Sequence, residues 1–469
     1  MKLVYQVEDK PTIGKLIVFA IQQLLAIMAA TLVVPIIING NINKMVDLTN
    51  GWGAELAMSP AAALFGAGVG TIVYLLFTKF KSPVFLGSSF AFIGSMTAAF
   101  AGAVSMAAGY LGLILGAVIA GLVYVAISFA VRFAGVAWLN KLMPPVVIGP
   151  TVAIIGLSLA GNAVGDFQAG GTNMPSHVLV NIVVGLVTLA TVIICSTYGK
   201  KMFKLIPFII GILAGYAVGV IFTVIGNIAE VDALKVVSFE SFKALWADGV
   251  KVTTFVDFPD FSFLGGLTKE GFKGLSGTYF GTLVAAYLPV AFVVFAEHVA
   301  DHKNISSIIG KDLLEDPGLA NTLLGDGVGS MAGAFFGGCP NTTYGESVAC
   351  VAITGNASVL TTIAAACGAI LISFLTPFVA FVDSIPKCVM GGVCIALYGF
   401  IAVSGLKMIQ KVDLGQNKNL FVVSTILICG IGGLALNFGK VTITAIATSL
   451  ILGILVNLLC KNAKEESEE

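Results

Sequence analysis

Charge is scarce in this chain of 469 residues: 11% are Asp, Glu, Lys or Arg, 57% are hydrophobic, and the mean hydropathy is +1.00. A soluble domain carries about 25% charge, so that class is excluded. Net charge is absent too. Lys plus Arg number 25 and Asp plus Glu number 25, which leaves no basic field to recruit nucleic acid. The eight Cys (195, 339, 350, 367, 388, 394, 429 and 460) fall almost entirely in apolar stretches and form no CxxC pair. They are expected to be buried thiols rather than zinc ligands or disulfides. No HExxH, Walker loop or nucleophile elbow occurs, so no metal, cofactor or hydrolytic chemistry has a motif and a membrane enzyme is the least favoured class.

What the chain does have is apolar runs of roughly 18 to 25 residues, enough to cross a ~30 Å hydrocarbon layer as helices. Charge and Pro/Gly punctuation place twelve ordinary spans at 13 to 38, 56 to 77, 110 to 130, 144 to 160, 177 to 195, 205 to 226, 277 to 301, 317 to 336, 358 to 382, 385 to 406, 419 to 437 and 441 to 460. The first run is too long for a signal peptide and lacks a cleavage site. Two further segments, 83 to 103 and 339 to 355, are apolar but broken. One opens with Pro83-Val84-Phe85-Leu86-Gly87-Ser88-Ser89 and the other with Gly337-Gly338-Cys339-Pro340-Asn341-Thr342-Thr343. Each predicts a short strand running into a half-helix, with Ser or Thr capping the helix.

The expected fold is therefore all-α and polytopic, with fourteen segments and two short strands. The broken segments are the third and tenth, equivalent positions in two halves of seven. Seven is odd, so the halves enter the membrane in opposite senses as an inverted repeat. Interrupted segments at matching places mark a transporter's substrate site, because irregular backbone at membrane depth survives only around a cavity. With the N-terminus inside, the inner loops collect Lys79, Lys81, Arg132, Lys141, Lys200, Lys201, Lys204, Lys303, Lys311, Lys407, Lys411 and Lys418. Both termini are accordingly expected to be cytoplasmic in a multi-pass protein of the inner cell membrane. The long outer connection, about 227 to 276, escapes that rule, and residues 462–469 form an acidic tail.

An ionisable group in the bilayer costs at least about 2.5 kcal/mol, so each deep one needs a reason. Glu297 and Asp301 lie four residues apart on one face of a span, within Ala296-Glu297-His298-Val299-Ala300-Asp301-His302. Asp326 sits between glycines, and Glu346 follows Tyr344-Gly345 in the second broken segment. Three or four of these carboxylates are expected to converge without an intramembrane Lys or Arg, which suits them to exchanging protons near neutral pH. Of the three His, His298 points away from the Glu297 face as a packing or lipid-interface ring, His302 lies where solvent begins, and His177 precedes its span. Half-helix N-termini donate N–H groups and carboxylates accept them. A small planar heterocycle with alternating carbonyl and N–H groups meets both, and Phe90, Phe92 and Tyr344 are candidate stacking surfaces.

At these residues the chain resembles the nucleobase-ascorbate transporter family, nucleobase-cation symporter 2, and within it the bacterial uracil permeases. The motifs are Leu86-Gly-Ser-Ser-Phe-Ala-Phe-Ile93, Ala296-Glu-His-Val299, Lys311-Asp-Leu-Leu-Glu-Asp-Pro-Gly-Leu319, Pro340-Asn-Thr-Thr-Tyr-Gly-Glu346 and Val389-Met-Gly-Gly-Val393. The resemblance implies a core domain at 1–132 and 277–383, a gate domain at 133–276 and 384–461, and a homodimer importing a nucleobase with protons. Glu297 and Glu346 would clasp the base, backbone near Phe90 and Gly345 would address its carbonyls, and Ser89 and Tyr344 would complete the pocket. Glu297, Asp301, Asp326 and Glu346 would share proton coupling. The chain departs from the family at Gln22-Gln23, where Gln-His is usual, at Ser347 and Ala349, where Asn and Gly are frequent, and at Gly355, often basic. Gln23 and Ser347 are therefore secondary candidates. Glu346 favours uracil over xanthine or other purines. An anion exchanger or channel of similar architecture would need positive groups in the pocket.

Overall fold

In the computed structural model the described residues are 3–45, 47, 49, 51–135, 138, 144–171, 174–200, 202–247, 249–438 and 441–460. The tail 462–469, Lys141 and Lys201 lie outside them. The first half contains α1 (Ile13–Asn43), α2 (Pro60–Phe77), β1 (Leu86–Ser88), α3 (Ile93–Ala101), α4 (Met106–Ala134), α5 (Pro145–Ser158), α6 (Ala160–Phe167), α7 (Val178–Tyr198) and α8 (Pro207–Ile228). The second contains α9 (Gly277–Ile309), α10 (Leu319–Gly337), β2 (Asn341–Thr343), α11 (Gly345–Thr354), α12 (Val359–Ser373), α13 (Thr376–Ser384), α14 (Lys387–Ile409), α15 (Asn417–Ile431), β3 (Leu436–Phe438), β4 (Val441–Ile443) and α16 (Ala445–Leu459). Among the described residues, eight helical stretches are long and apolar enough to cross a membrane.

The fourteen expected segments are recovered, including a strand and a half-helix at the third and tenth. Strands β1 and β2 pair antiparallel, with Leu86 opposite Thr343, Gly87 opposite Thr342 and Ser88 opposite Asn341. An in-plane two-fold axis relating the halves would carry each segment onto its equivalent seven places on, so equivalents that touch must meet near it. Three pairs do: β1 with β2, α2 with α10, and α5 with α14. The chain is a polytopic α-helical protein built as two inverted repeats of seven segments.

Close helix contact near this axis depends on glycine. A Cβ on Gly66 of α2 would overlap the Gly333 carbonyl oxygen and lie 2.6 Å from the Gly337 Cα of α10. Asn341 reaches across the same crossing and donates to the Gly66 carbonyl at 3.0 Å.

Several expectations are corrected. The eleventh segment is two helices, because Leu375 is extended ahead of Thr376-Pro377 and Pro377 lacks an N–H to continue α12. The thirteenth and fourteenth are not uninterrupted spans. Helices α15 and α16 have 15 residues each, about 22 Å of helix and short of the ~30 Å core. Gly433, at φ +73°, ends α15, and the unforeseen hairpin β3–β4 fills the gap. Neither half-helix has a side-chain cap: Tyr344 precedes α11, and Ser89 precedes the turn Phe90–Phe92 that leads into α3, both without a cap hydrogen bond. All eight thiols are free, but only five are buried. Cys367 is exposed on α12, while Cys429 and Cys460 are partly so.

The basic loops gather on one face. Lys81 pairs with Asp316 at 2.7 Å, Lys311 with Glu8 at 3.3 Å, and Arg132 donates to Asn321. The N-terminal strap is tied to the same face through Val4 N–H to the Gly355 carbonyl and Ala357 N–H to the Tyr5 carbonyl.

Replacing Gly66 by Val should force α2 and α10 apart. Overpacking of this kind costs about 1–3 kcal/mol. The melting temperature of the detergent-purified protein should fall, whereas the same change at Gly14, whose Cβ position is open, should leave it unmoved.

Candidate functional site

Helix α9 puts Glu297 and Asp301 on one face because four residues make slightly more than one turn. Both open into a cavity of about 430 Å³ that Glu346, in the first turn of α11, also lines. Thr343 of β2 donates to Asp301 at 2.9 Å. A Cβ on Gly345 would lie 3.8 Å from the other Asp301 oxygen. The acid pair of α9 thus faces the start of α11 directly.

The strand pair determines this convergence. Ser89 N–H donates to the Pro340 carbonyl at 2.9 Å and Tyr344 N–H to the Phe85 carbonyl at 3.1 Å, extending the ladder at both ends. After those bonds each chain turns into its half-helix, so Ser89, Phe90 and Ala91 enter the cavity from one side and Tyr344, Gly345 and Glu346 from the other. Tyr344 packs on Gly87, where a Cβ would overlap its ring, and its hydroxyl donates to the Ser88 carbonyl at 2.7 Å. The Ser89 hydroxyl is buried, lines the cavity and has no partner among the described residues. Uncapped half-helix N-termini direct partial positive charge into this space.

Two groups expected near the pocket lie behind it. Gln23 donates to the Ser347 Oγ at 3.1 Å, and that oxygen also accepts from Phe85 N–H at 3.0 Å. They brace α1, the approach to β1 and α11 without lining the cavity. Phe92 is likewise not a stacking surface there, since it stacks on Tyr287 at 5.7 Å between ring centres. Phe90 does line the cavity and meets Tyr398 edge-on at 6.0 Å.

Three of the carboxylates line the cavity, and Asp326 is the one that does not. Asp326 is fully buried on the opposite side of α9, with its Oδ2 2.7 Å from His298 Nδ1. His298 is therefore neither a plain packing ring nor at the lipid boundary. His302 is not where solvent begins: it is buried, with Nδ1 2.8 Å from the His298 carbonyl oxygen and Nε2 2.7 Å from the Tyr74 hydroxyl. His177 stands as expected before its helix, capping α7 through Nδ1 to Leu179 N–H. Lys204, exposed just ahead of α8, also lines the cavity. No local sequence pattern links it to α9. The His298 contact did leave a trace, since His298 and His302 share a helix face at i and i+4. Asp326, its partner, lies on another helix.

The remaining wall comes from α5, α7, α8 and α14, with Val152, Ile155, Phe208, Leu397 and Phe400 supplying apolar surface and Ser196 and Ser404 hydroxyls. Acceptors, backbone donors and flat apolar surfaces surround one small volume. That combination matches the chemistry of an uncharged polar ring. Among the described residues no group of three or more His, Cys, Asp or Glu is arranged to hold a metal ion.

Residues 14–438 match a family described as "Xan_ur_permease: Permease family". A uracil permease of Bacillus caldolyticus is 37% identical over 470 residues, covering 100% of this chain and 97% of the relative. The uracil permease of Bacillus subtilis (strain 168) is 35% identical, covering 99% and 96%. Among solved structures, the murine Solute Carrier 26 family member A9 anion transporter in the inward-facing state matches with a TM-score of 0.62 at 10% identity, covering 97% of this chain and 69% of that one. At that identity the likeness concerns the fold alone.

Cavity access can be read with thiol chemistry. Ser404→Cys in purified protein should be alkylated by a small water-soluble reagent, while Cys339, buried beside the strand pair, should be spared. Site-resolved mass spectrometry checks both.

Proposed function

The chain belongs to the Xan_ur_permease family of permeases, the nucleobase-ascorbate transporters, and on this premise we propose that it is a secondary active transporter that brings uracil into the cell together with a proton. The observation that carries the reading is the meeting of Glu297 and Glu346 at one cavity between two uncapped half-helices. Uracil presents two ring N–H groups and two carbonyls in alternation. The carboxylates accept from the N–H groups, and backbone N–H groups near Phe90 and Gly345 donate to the carbonyls. Phe90 and Tyr344 border the ring. The names of the two Bacillus relatives favour uracil, and the carboxylate at Glu346 fits that choice.

Glu297, Asp301 and Glu346 share the cavity and are the groups placed to load a proton with the base. Segments 1 to 4 and 8 to 11 carry the half-helices and α9, and we take them as a core that moves against a gate of segments 5 to 7 and 12 to 14. The cavity includes Lys204 and Met408, on the face that the basic loops favour as cytoplasmic, which fits an inward-facing state. Proton and base must bind the two states with different affinity for transport to be driven. The same resemblance implies a homodimer in the inner membrane with both termini cytoplasmic.

Labelled uracil uptake in cells lacking their own uptake system tests the substrate. Excess cold uracil should abolish the signal and excess xanthine should not; equal competition by xanthine would make this a purine permease. Glu297→Gln and Glu346→Gln each remove a charge-assisted hydrogen bond of about 1.5–3 kcal/mol, which corresponds to roughly 10- to 150-fold weaker binding. Uptake at low uracil should drop accordingly with protein abundance unchanged.

Coupling has its own measurement. Uptake should rise as the external pH is lowered and collapse when a protonophore dissipates the gradient. Unchanged uptake under both treatments would remove the proton from the scheme.

A further inference from the structure

The face of α9 turned away from the cavity carries a second polar cluster that the transport scheme does not use. His298 and Asp326 are fully buried, and neither lines the cavity. His298 Nε2 lies 3.0 Å from Thr322 Oγ1, and the Thr322 hydroxyl donates to the Leu319 carbonyl at 3.1 Å. Thr322 is therefore the acceptor toward His298, and Nε2 carries a proton. The other ring nitrogen, Nδ1, meets Asp326 Oδ2 at 2.7 Å. Two lone pairs cannot face each other at that distance, so one further proton occupies the contact. It resides on Asp326 or on His298, and the total is the same in both cases.

The surroundings favour the uncharged form. Asp326 Oδ1 has no hydrogen-bond partner among the described residues, and neither does the nearby Tyr124 hydroxyl. A buried carboxylate with one oxygen unpaired is costly, whereas a carboxylic acid donating to a neutral imidazole is far less so. The titratable groups facing the pair are Glu297, Asp301 and His302 on α9, Tyr74 of α2 and Tyr124 of α4, with Glu346 of α11 beyond Glu297. Negative charge on Asp326 would act on the cavity carboxylates through this low-dielectric layer.

We propose that His298 is a positioning residue of the transport site: with Asp326 it holds one shared proton, keeping Asp326 neutral behind Glu297 and fixing the rotation of α9 that turns Glu297 and Asp301 into the cavity. The inference rests on the reading of that cavity as a base-binding site. Asp326 then keeps its proton through the cycle, and the coupling proton belongs to the cavity carboxylates alone. Neighbouring His302 serves a different purpose. Its Nδ1–H donates to the His298 carbonyl and its Nε2 lies 2.7 Å from the Tyr74 hydroxyl, which ties α9 to α2.

The test is uracil affinity of the purified full-length protein, read by thermal shift across a pH series. Because proton and base load together, affinity falls as pH rises through a midpoint. In His298→Gln, Asp326 loses the partner that shared its proton and ionises as pH rises. The added negative charge holds the loaded proton longer, and the midpoint should move up by about one pH unit. Asp326→Asn and the double variant H298Q/D326N, both uncharged at this place, should keep the wild-type midpoint. A merely structural role predicts lower melting temperatures with no movement of the midpoint in His298→Gln, and that result overturns the proposal. A downward shift in Asp326→Asn also overturns it, by showing that Asp326 was charged. Absence of any uracil-induced stabilisation of the wild-type protein would instead remove the base-binding premise and the inference with it.

Discussion

The structure depends on a backbone constraint at membrane depth: two chain segments interrupt their helices where no water can satisfy the exposed N–H and C=O groups. They satisfy one another. Strands β1 and β2 pair over Leu86–Ser88 and Asn341–Thr343, and the Thr71 hydroxyl both donates to the Leu86 carbonyl and accepts from its N–H. Because the pairing is antiparallel and joins equivalent segments, the following half-helices begin at opposite sides of one small volume. The cavity follows from this pairing. A helix in either place would have sealed its own backbone and left no donors for a ligand.

Other features keep that arrangement compact. Glycine on α2 and α10 lets the two backbones touch, and Asn341 uses the space to tie β2 to the Gly66 carbonyl. Tyr344 fits against Gly87 and closes back onto the Ser88 carbonyl, joining the two broken segments by side chain as well as by backbone. Gln23 and Ser347 form the corresponding brace from α1. This contact is neutral, with an amide donating to a hydroxyl.

Helix α9 divides its polar groups between two faces. Glu297 and Asp301 look into the cavity, while His298 and His302 look into protein and are consumed by Asp326, Thr322, Tyr74 and a carbonyl. Sequence adjacency therefore says little about shared chemistry here, since neighbours on a helix differ by about 100°.

Composition and apolar run length fixed the membrane class, because burying or immersing so much apolar surface has few solutions. Pro, Gly and hydroxyl residues at 83–89 and 337–343 exposed the broken segments, and their matched positions exposed the repeat. Ionisable residues in apolar runs exposed Glu297, Asp301 and Glu346, whose burial demands a reason, and Pro340–Glu346 carried the family. Contacts between distant helices were decided only in three dimensions: the partnership of Asp326 with His298, the retreat of Phe92 and Gln23 from the pocket, and Lys204 on its wall. So were the split of the eleventh segment and the hairpin near the C-terminus, where hydropathy is blind to backbone direction. The physical reason is common to all of these. Burial and periodicity are properties of a segment and can be read along the chain, whereas the partner that satisfies a buried polar atom is chosen by packing across it.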